Sequence, residues 1–276
     1  MRHDQILLTV SIVLIHLLNL MRCKTTVDPE VDYGYELKRT PEQIKTELEK
    51  HKIIPDLLDK APNETIHIEW MDRDGKWDRN GLCAKLGNEI TRVHELECRP
   101  LWVNYRTFLK EVHTLMMIGL DEPSAQNRSS SLFLYWLVSD IPAHSYENEQ
   151  LPALDYVRGE TIFDYREPRP LLGTGLHRYV FLVYAHGNRT INCTMKKLNQ
   201  SDVTGRPHFN LKDFVRQYDL GEPYAVNFFL AQWQKPLYTT TTSDPNEPTT
   251  LVVEHLSERW GGAIRMRSKK VKEKDS

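Results

Sequence analysis

The chain predicts a mainly β fold, an antiparallel β-sandwich with a few peripheral helices. Short runs rich in Val, Ile, Leu, Tyr, Phe and Trp recur from residue 66 to residue 233. Turn residues separate them, including the dipeptides Asp74-Gly75 and Asn80-Gly81. Few helical periods fall between these runs, which favours strands paired through turns over strands alternating with helices.

The first segment, 1–23, reads as a secretory signal peptide. Arg2 and His3 precede an apolar run, ILLTVSIVLIHLLNL (6–20), and polar residues follow it. The run is shorter than the roughly 20 residues that span a bilayer. Cleavage is expected near Cys23 or Lys24, with an uncleaved anchor as the alternative. A mitochondrial presequence should be amphipathic and Arg-rich, and this run is apolar all round.

Residues 28–39 read as an extended lead-in. A helix follows over 40–54, with Thr40 as N-cap, Pro41 at the first turn and Gln43 completing a capping box. Ile44 and Leu48 share its buried face, and Pro55 is expected to end it at Ile53 or Ile54. The expected strands are IHIEW (66–70), LCAKLG (82–87), RPLWVNY (99–105), VHTLMMIGL (112–120), LFLYWLVSDI (132–141) and RYVFLVYAH (178–186). LFLYWLV lacks alternation and so reads as buried on both faces. FNLKDFVRQYDLG (209–221) reads as a second helix, capped by Asn210 and stopped by Gly221. AVNFFLAQW (225–233) reads as a last strand. The domain is set at 24–238, and 239–276 reads as a Thr/Pro-rich linker with a basic, disordered tail.

Net charge is −2 over 276 residues, so no global excess points to nucleic acid or to a membrane surface. Asn-X-Ser/Thr triplets start at Asn63, Asn127, Asn188, Asn192 and Asn199. They suit the secretory route and are expected to be glycosylated. Cys83, Cys98 and Cys193 remain once the leader is removed, and their spacing sets no pairing and no zinc motif. No metal or cofactor is expected. No nucleophile elbow, P-loop or HExxH is present. The paired carboxylates Asp72/Asp74 and Glu95/Glu97 lie in polar stretches where solvated charge suffices. Nothing specific makes Cys98 and His94 a nucleophile pair, and the expectation is a protein that is not an enzyme.

The stretch GTGLHRYVFLVY (173–184) resembles a segment of the phosphatidylethanolamine-binding protein family, a Gly-X-Gly-X-His-Arg-Tyr run entering a core strand. LGNEIT (86–91), LDEPSAQNRS (120–129), LYWLVSDIP (134–142) and the late helix and strand are similar to further family segments in the same order. The resemblance implies a pocket for a phosphate-like head group at one end of the sandwich. Its rim would come from the acidic loop, a His-His strand, a Gly-X-Gly-Pro-Pro loop and the His-Arg-Tyr segment. On that resemblance the ligand-binding candidates are Asp121, Pro123, Tyr135, Arg169, His177 and Tyr179. Gly119 replaces the family's first aspartate, Tyr135 the histidine nearest the ligand, and Glu167 and Arg169 the two glycines. Tyr238 is the nearest stand-in for a late pocket tyrosine. Arg178 is expected on the opposite face of the strand, paired with an acid such as Asp121 or Asp164.

The resemblance implies a secreted, non-catalytic binding protein for a phospholipid head group, small anion or apolar ligand in a partly altered pocket. The alternative is an interaction protein on the same scaffold with a degraded pocket, similar to the family's mitochondrial large-ribosomal-subunit branch. A protein partner fits either reading.

Overall fold

The computed structural model describes residues 39–70, 82–105, 111–144, 153–154 and 156–235, all within a unit that begins at Arg39. The leader, the turns at 74–75 and 80–81, Tyr238 and the 239–276 tail lie outside the described residues.

Helix α1 spans Pro41–Lys50. Thr40 Oγ1 accepts from the Gln43 amide, and Gln43 Oε1 accepts from the Thr40 amide, so both halves of the capping box form. Ile44 and Leu48 are fully buried. The helix stops three residues before the expected point. Lys52 turns left-handed at φ 54°, and the carbonyls of His51 and Lys52 are drawn off the axis as acceptors for Arg178. An arginine 126 positions away thus sets the end of the helix rather than Pro55 alone.

The strands are β1 (Glu64–Thr65), β2 (His67–Glu69), β3 (Cys83–Ala84), β4 (Asn88–Glu89), β5 (Trp102–Asn104), β6 (Val112–Gly119), β7 (Phe133–His144), β8 (Ala153–Leu154), β9 (Glu160–Phe163), β10 (His177–Ala185) and β11 (Ala225–Ala231). The large sheet runs β1-β11-β10-β6-β7-β8, with β4 also on β11 and β9 also on β7. The small sheet is β3-β2-β5. The long pairs are antiparallel as expected, whereas β1 and β4 pair parallel to β11. Two-residue strands carry too little pattern for their direction to be read from sequence.

Both faces of the large sheet are covered. Leu115, Met117, Trp136, Phe181 and Phe229 pack toward the small sheet with Ile68 and Trp70. The alternate residues Met116, Ile118, Leu137, Leu182 and Phe228 pack with Ile44 and Leu48 of α1 and with helix α2 (Leu211–Tyr218). Burial on both faces explains the unbroken apolar runs in β6, β7 and β10. Asn210 caps α2 by accepting from the Asp213 amide, and Asp219 ends it in the left-handed conformation at φ 50°, two residues before Gly221.

Candidate ligand-binding site

Alternation along β10 sorts its first three residues. His177 and Tyr179 face the small sheet, and Arg178 faces the helices. Gly173 and Gly175 approach the strand at φ 80° and 76° with open space around both α-carbons. These glycines therefore serve a left-handed backbone rather than a close approach.

The loop they shape fixes His177. Thr174 Oγ1 donates its proton to the Leu171 carbonyl at 2.7 Å and lies 2.7 Å from His177 Nε2. A hydroxyl has one proton to give, so at the second contact the imidazole is the donor. In the neutral ring that leaves Nδ1 as an acceptor. Nδ1 stands 3.5 Å from Glu122 Oε1, and none of the described residues gives it a hydrogen bond.

Glu122 is the centre of the recess. Its Oε1 accepts the Tyr135 hydroxyl at 2.5 Å. The Tyr135 ring meets Phe133 at 4.7 Å and Tyr179 edge-on at 5.3 Å, and Tyr179 stacks on Phe229 at 5.2 Å. The Tyr179 hydroxyl is buried and has no hydrogen-bond partner among the described residues. Burial, chiefly, holds the Tyr135 and Tyr179 hydroxyls far above the ordinary phenol range, and the Glu122 charge pushes both the same way. Both phenols therefore keep their protons.

Asp121 was expected both on the pocket rim and as an acid that could pair with Arg178, and the structure shows the pairing with Arg178. Its carboxylate accepts from the Arg178 amide, Nε and Nη2, while Glu122 points to the other side of the loop. In the bend that follows β6 the two adjacent acids diverge, so one serves the scaffold and the other the recess. Pro123 is half-buried directly after Glu122. Arg169 is mostly exposed and paired with Glu167, and neither shows a contact with His177. The Glu167 carboxyl is raised by burial, against the lowering effect of Arg169.

Sequence reasoning did not single out Glu122, Thr174 or Arg206. Arg206 is fully buried behind the recess. Its guanidinium donates to the carbonyls of Asp202, Leu134, Tyr135, Asp164 and Asn199. Pairing of β7 with β9 reaches only to Leu137, so at Leu134 and Tyr135 this side chain satisfies a strand edge. Gly119 also acquires a role. A Cβ there would lie 2.6 Å from Tyr135 Cε2, so the tyrosine ring occupies the space a side chain at 119 would need.

Two clefts open away from the His177 recess. One of about 410 Å³ lies between Lys60, Asn63, Glu222 and Tyr224, and one of about 490 Å³ between Glu47, His51, Lys85 and Asn88. All five sequon asparagines are exposed. Asn188 and Asn192 follow the Ala185 end of β10, and Asn63 precedes β1, which pairs with Ala225 opposite Val183. These three lie at the end of the sheet away from His177.

The model of the family described as phosphatidylethanolamine-binding protein matches residues 94–229. A Drosophila melanogaster protein named "Putative odorant-binding protein A5" is 27% identical over 70% of this chain and 82% of its own length. The 26 kDa secreted antigen of Toxocara canis is 28% identical over 65% of this chain, which spans 61% of that protein. Among solved structures, the carboxypeptidase Y inhibitor in complex with its cognate proteinase superposes with a TM-score of 0.57 at 19% identity, over 70% of this chain and 97% of the inhibitor. The phosphatidylethanolamine-binding protein of Plasmodium vivax gives 0.54 at 19%, over 71% and 98%. Those likenesses concern the fold, and the ordered motifs from LGNEIT to the late strand agree with it. The chain belongs to the phosphatidylethanolamine-binding protein family.

Proposed function

We propose that the chain is a secreted, non-catalytic binding protein that takes a small polar ligand, such as a phospholipid head group, at the His177 recess. One observation carries this reading. Two side chains at most 1% exposed, His177 and Tyr179, hold polar atoms that meet no well-formed hydrogen bond among the described residues, beside Glu122 in one aromatic-walled recess. Buried polar groups are nearly always paired, and an orphan of this kind marks a place for a ligand or water. Secretion is supported by the leader-like 1–23, by five exposed sequons, and by relatives named as a secreted antigen and an odorant-binding protein. Calorimetric titration of the secreted protein with soluble head-group compounds tests the reading. His177→Ala should abolish binding with an unchanged circular dichroism spectrum. Equal binding in that variant removes His177 from the site.

A second reading, an interaction protein on this scaffold, draws on the loop before β10. Leu171 and Leu172 are 61% and 72% exposed, and Leu176 is 42% exposed. Exposed leucines grouped in one loop suit a protein contact. Leu171→Ser with Leu172→Ser should then weaken partner capture and leave small-ligand binding intact.

A further inference from the structure

We infer that the first sugar of an Asn63-linked glycan seats in the cleft between Asn63 and Tyr224 and clamps β1 to β11. The inference rests on the secretory reading above, and it sets Asn63 apart from the other sequons.

Register places the attachment point. Strand β1 runs parallel to β11, with Glu64 opposite Ala225 and Thr65 opposite Val226. Asn63 and Tyr224 therefore stand immediately before two paired strands, whose axes lie about 4.8 Å apart. The cleft of about 410 Å³ opens there, and its lining matches the two sides of a pyranose. Pro62, Pro223 and the Tyr224 ring offer carbon surface, which suits the C–H face of a sugar. Lys60 and Glu222 are exposed on the rim, where hydroxyl and acetamide groups find a donor and an acceptor. The Tyr224 ring rests on Tyr105 at 5.6 Å and its amide donates to the Val183 carbonyl, so this wall is set before any sugar arrives. Of the five sequon asparagines, only Asn63 lines either cleft. The side chains of Asn127, Asn192 and Asn199 are instead tied into their own turns, to Ser129, Thr190 and Ser201. A covalent tether also removes the main obstacle to binding at a solvent-facing rim. A free sugar would lose its translational freedom there, whereas a linked one stays at a high effective concentration. A weak stacking contact is then enough. Strand β1 is only two residues long, so a sugar bridging Asn63 to Tyr224 holds its entry against β11.

The test uses the full chain from a secretory cell and reads occupancy at each sequon by peptide mass. Asn63 should carry sugar. A glycan-releasing amidase acting on the native, unmutated protein should free that sugar at least tenfold more slowly than sugars at the other occupied sequons. Trimming every glycan to its single linked hexosamine should leave the Tm unchanged. Asn63→Gln should lower the Tm by about 2–4 °C. In a Tyr224→Leu background that loss should vanish, because the stacking surface is gone. Four results overturn the inference and leave secretion standing: no Tm loss in Asn63→Gln, an equal loss in both backgrounds, a Tm that already falls on trimming, or release from Asn63 as fast as from the other sequons. An Asn63 without sugar on a chain glycosylated elsewhere does the same. A chain with no sugar at any sequon removes both the inference and the secretory reading on which it rests.

Discussion

Arg178 and Asp121 meet in a two-point ion pair, Nε to Oδ2 at 2.8 Å and Nη2 to Oδ1 at 2.7 Å, with side chains 9% and 1% exposed. The same guanidinium reaches Asp56 at 2.8 Å and the carbonyls of His51 and Lys52 just past α1. Stranding a buried charge costs about 3–5 kcal/mol, and the loss here is at the low end, about 3 kcal/mol, because Asp56 stays beside Arg178 and Arg128 Nε stays 3.2 Å from Asp121 Oδ1. Arg178→Ala and Asp121→Asn should each lower stability by about that amount in urea unfolding. Arg178→Lys should recover only part, because a single ammonium cannot reproduce the fork. The binding model at His177 requires none of these contacts directly, so ligand affinity measured below the unfolding range should change far less than stability.

Gly119 and Tyr135 should behave as a coupled pair. A methyl at 119 would press on the tyrosine ring at 2.6 Å. Gly119→Ala should cost about 1–3 kcal/mol by overpacking. In the background of Tyr135→Ala the same substitution should cost much less, and a double-mutant cycle reads the difference. Additive effects would mean that the ring moves aside freely.

Arg206 should be as sensitive as a core residue despite its charge. Its pKa is lowered to about 10, mainly by burial, and its donors satisfy five carbonyls. Arg206→Met should destabilise by about 3 kcal/mol or more, since buried carbonyls lose their donors. Weakened ligand binding should accompany it, because the guanidinium holds the main chain of Tyr135.

Stability should fall in mild acid. Burial lowers the His113 pKa to about 4, against the raising effect of Glu111, which stands 3.4 Å away. The unfolded value is about 6.5, so between pH 6.5 and 4 the unfolded chain binds the extra proton. The contribution is fully present above about pH 6.5 and lost on descending to about 4, up to roughly 3 kcal/mol. His51 and His186, also lowered chiefly by burial, add to the same slope. Asp56 acts below this window. Burial would raise it, the hydrogen bonds from Arg178 and Arg128 outweigh that, and its contribution goes as pH falls below about 4. Calorimetric Tm values from pH 7.5 to 4.5 should fall for the wild type and fall less for His113→Leu.

The secretory reading predicts a mature protein starting near Cys23 or Lys24 that loses mass on treatment with a glycosidase. Intact mass of protein from a secretory cell checks both points. A cell-retained chain without glycans would favour the organelle alternative.

Most of the scaffold was legible because its signals are local. Thr40, Pro41 and Gln43 announce a helix start within four residues, and the apolar runs of β6, β7 and β10 announce strands buried on both faces. The recess was less legible because it depends on which way adjacent side chains turn. Asp121 and Glu122 are neighbours of the same charge, and only the closed loop shows that the first braces Arg178 and the second faces His177. Arg206 left no pattern, since its partners are carbonyls that every residue carries. The parallel pairing of β1 and β4 was hidden by their two-residue length.

The nine residues of β10 separate the recess from Asn188 by roughly 27 Å of extended chain. Asn188, Asn192 and Asn63 lie at the far end, so a linker attached there would leave the His177 end facing outward. A sensor chip loaded through that pole should present every molecule in the same orientation.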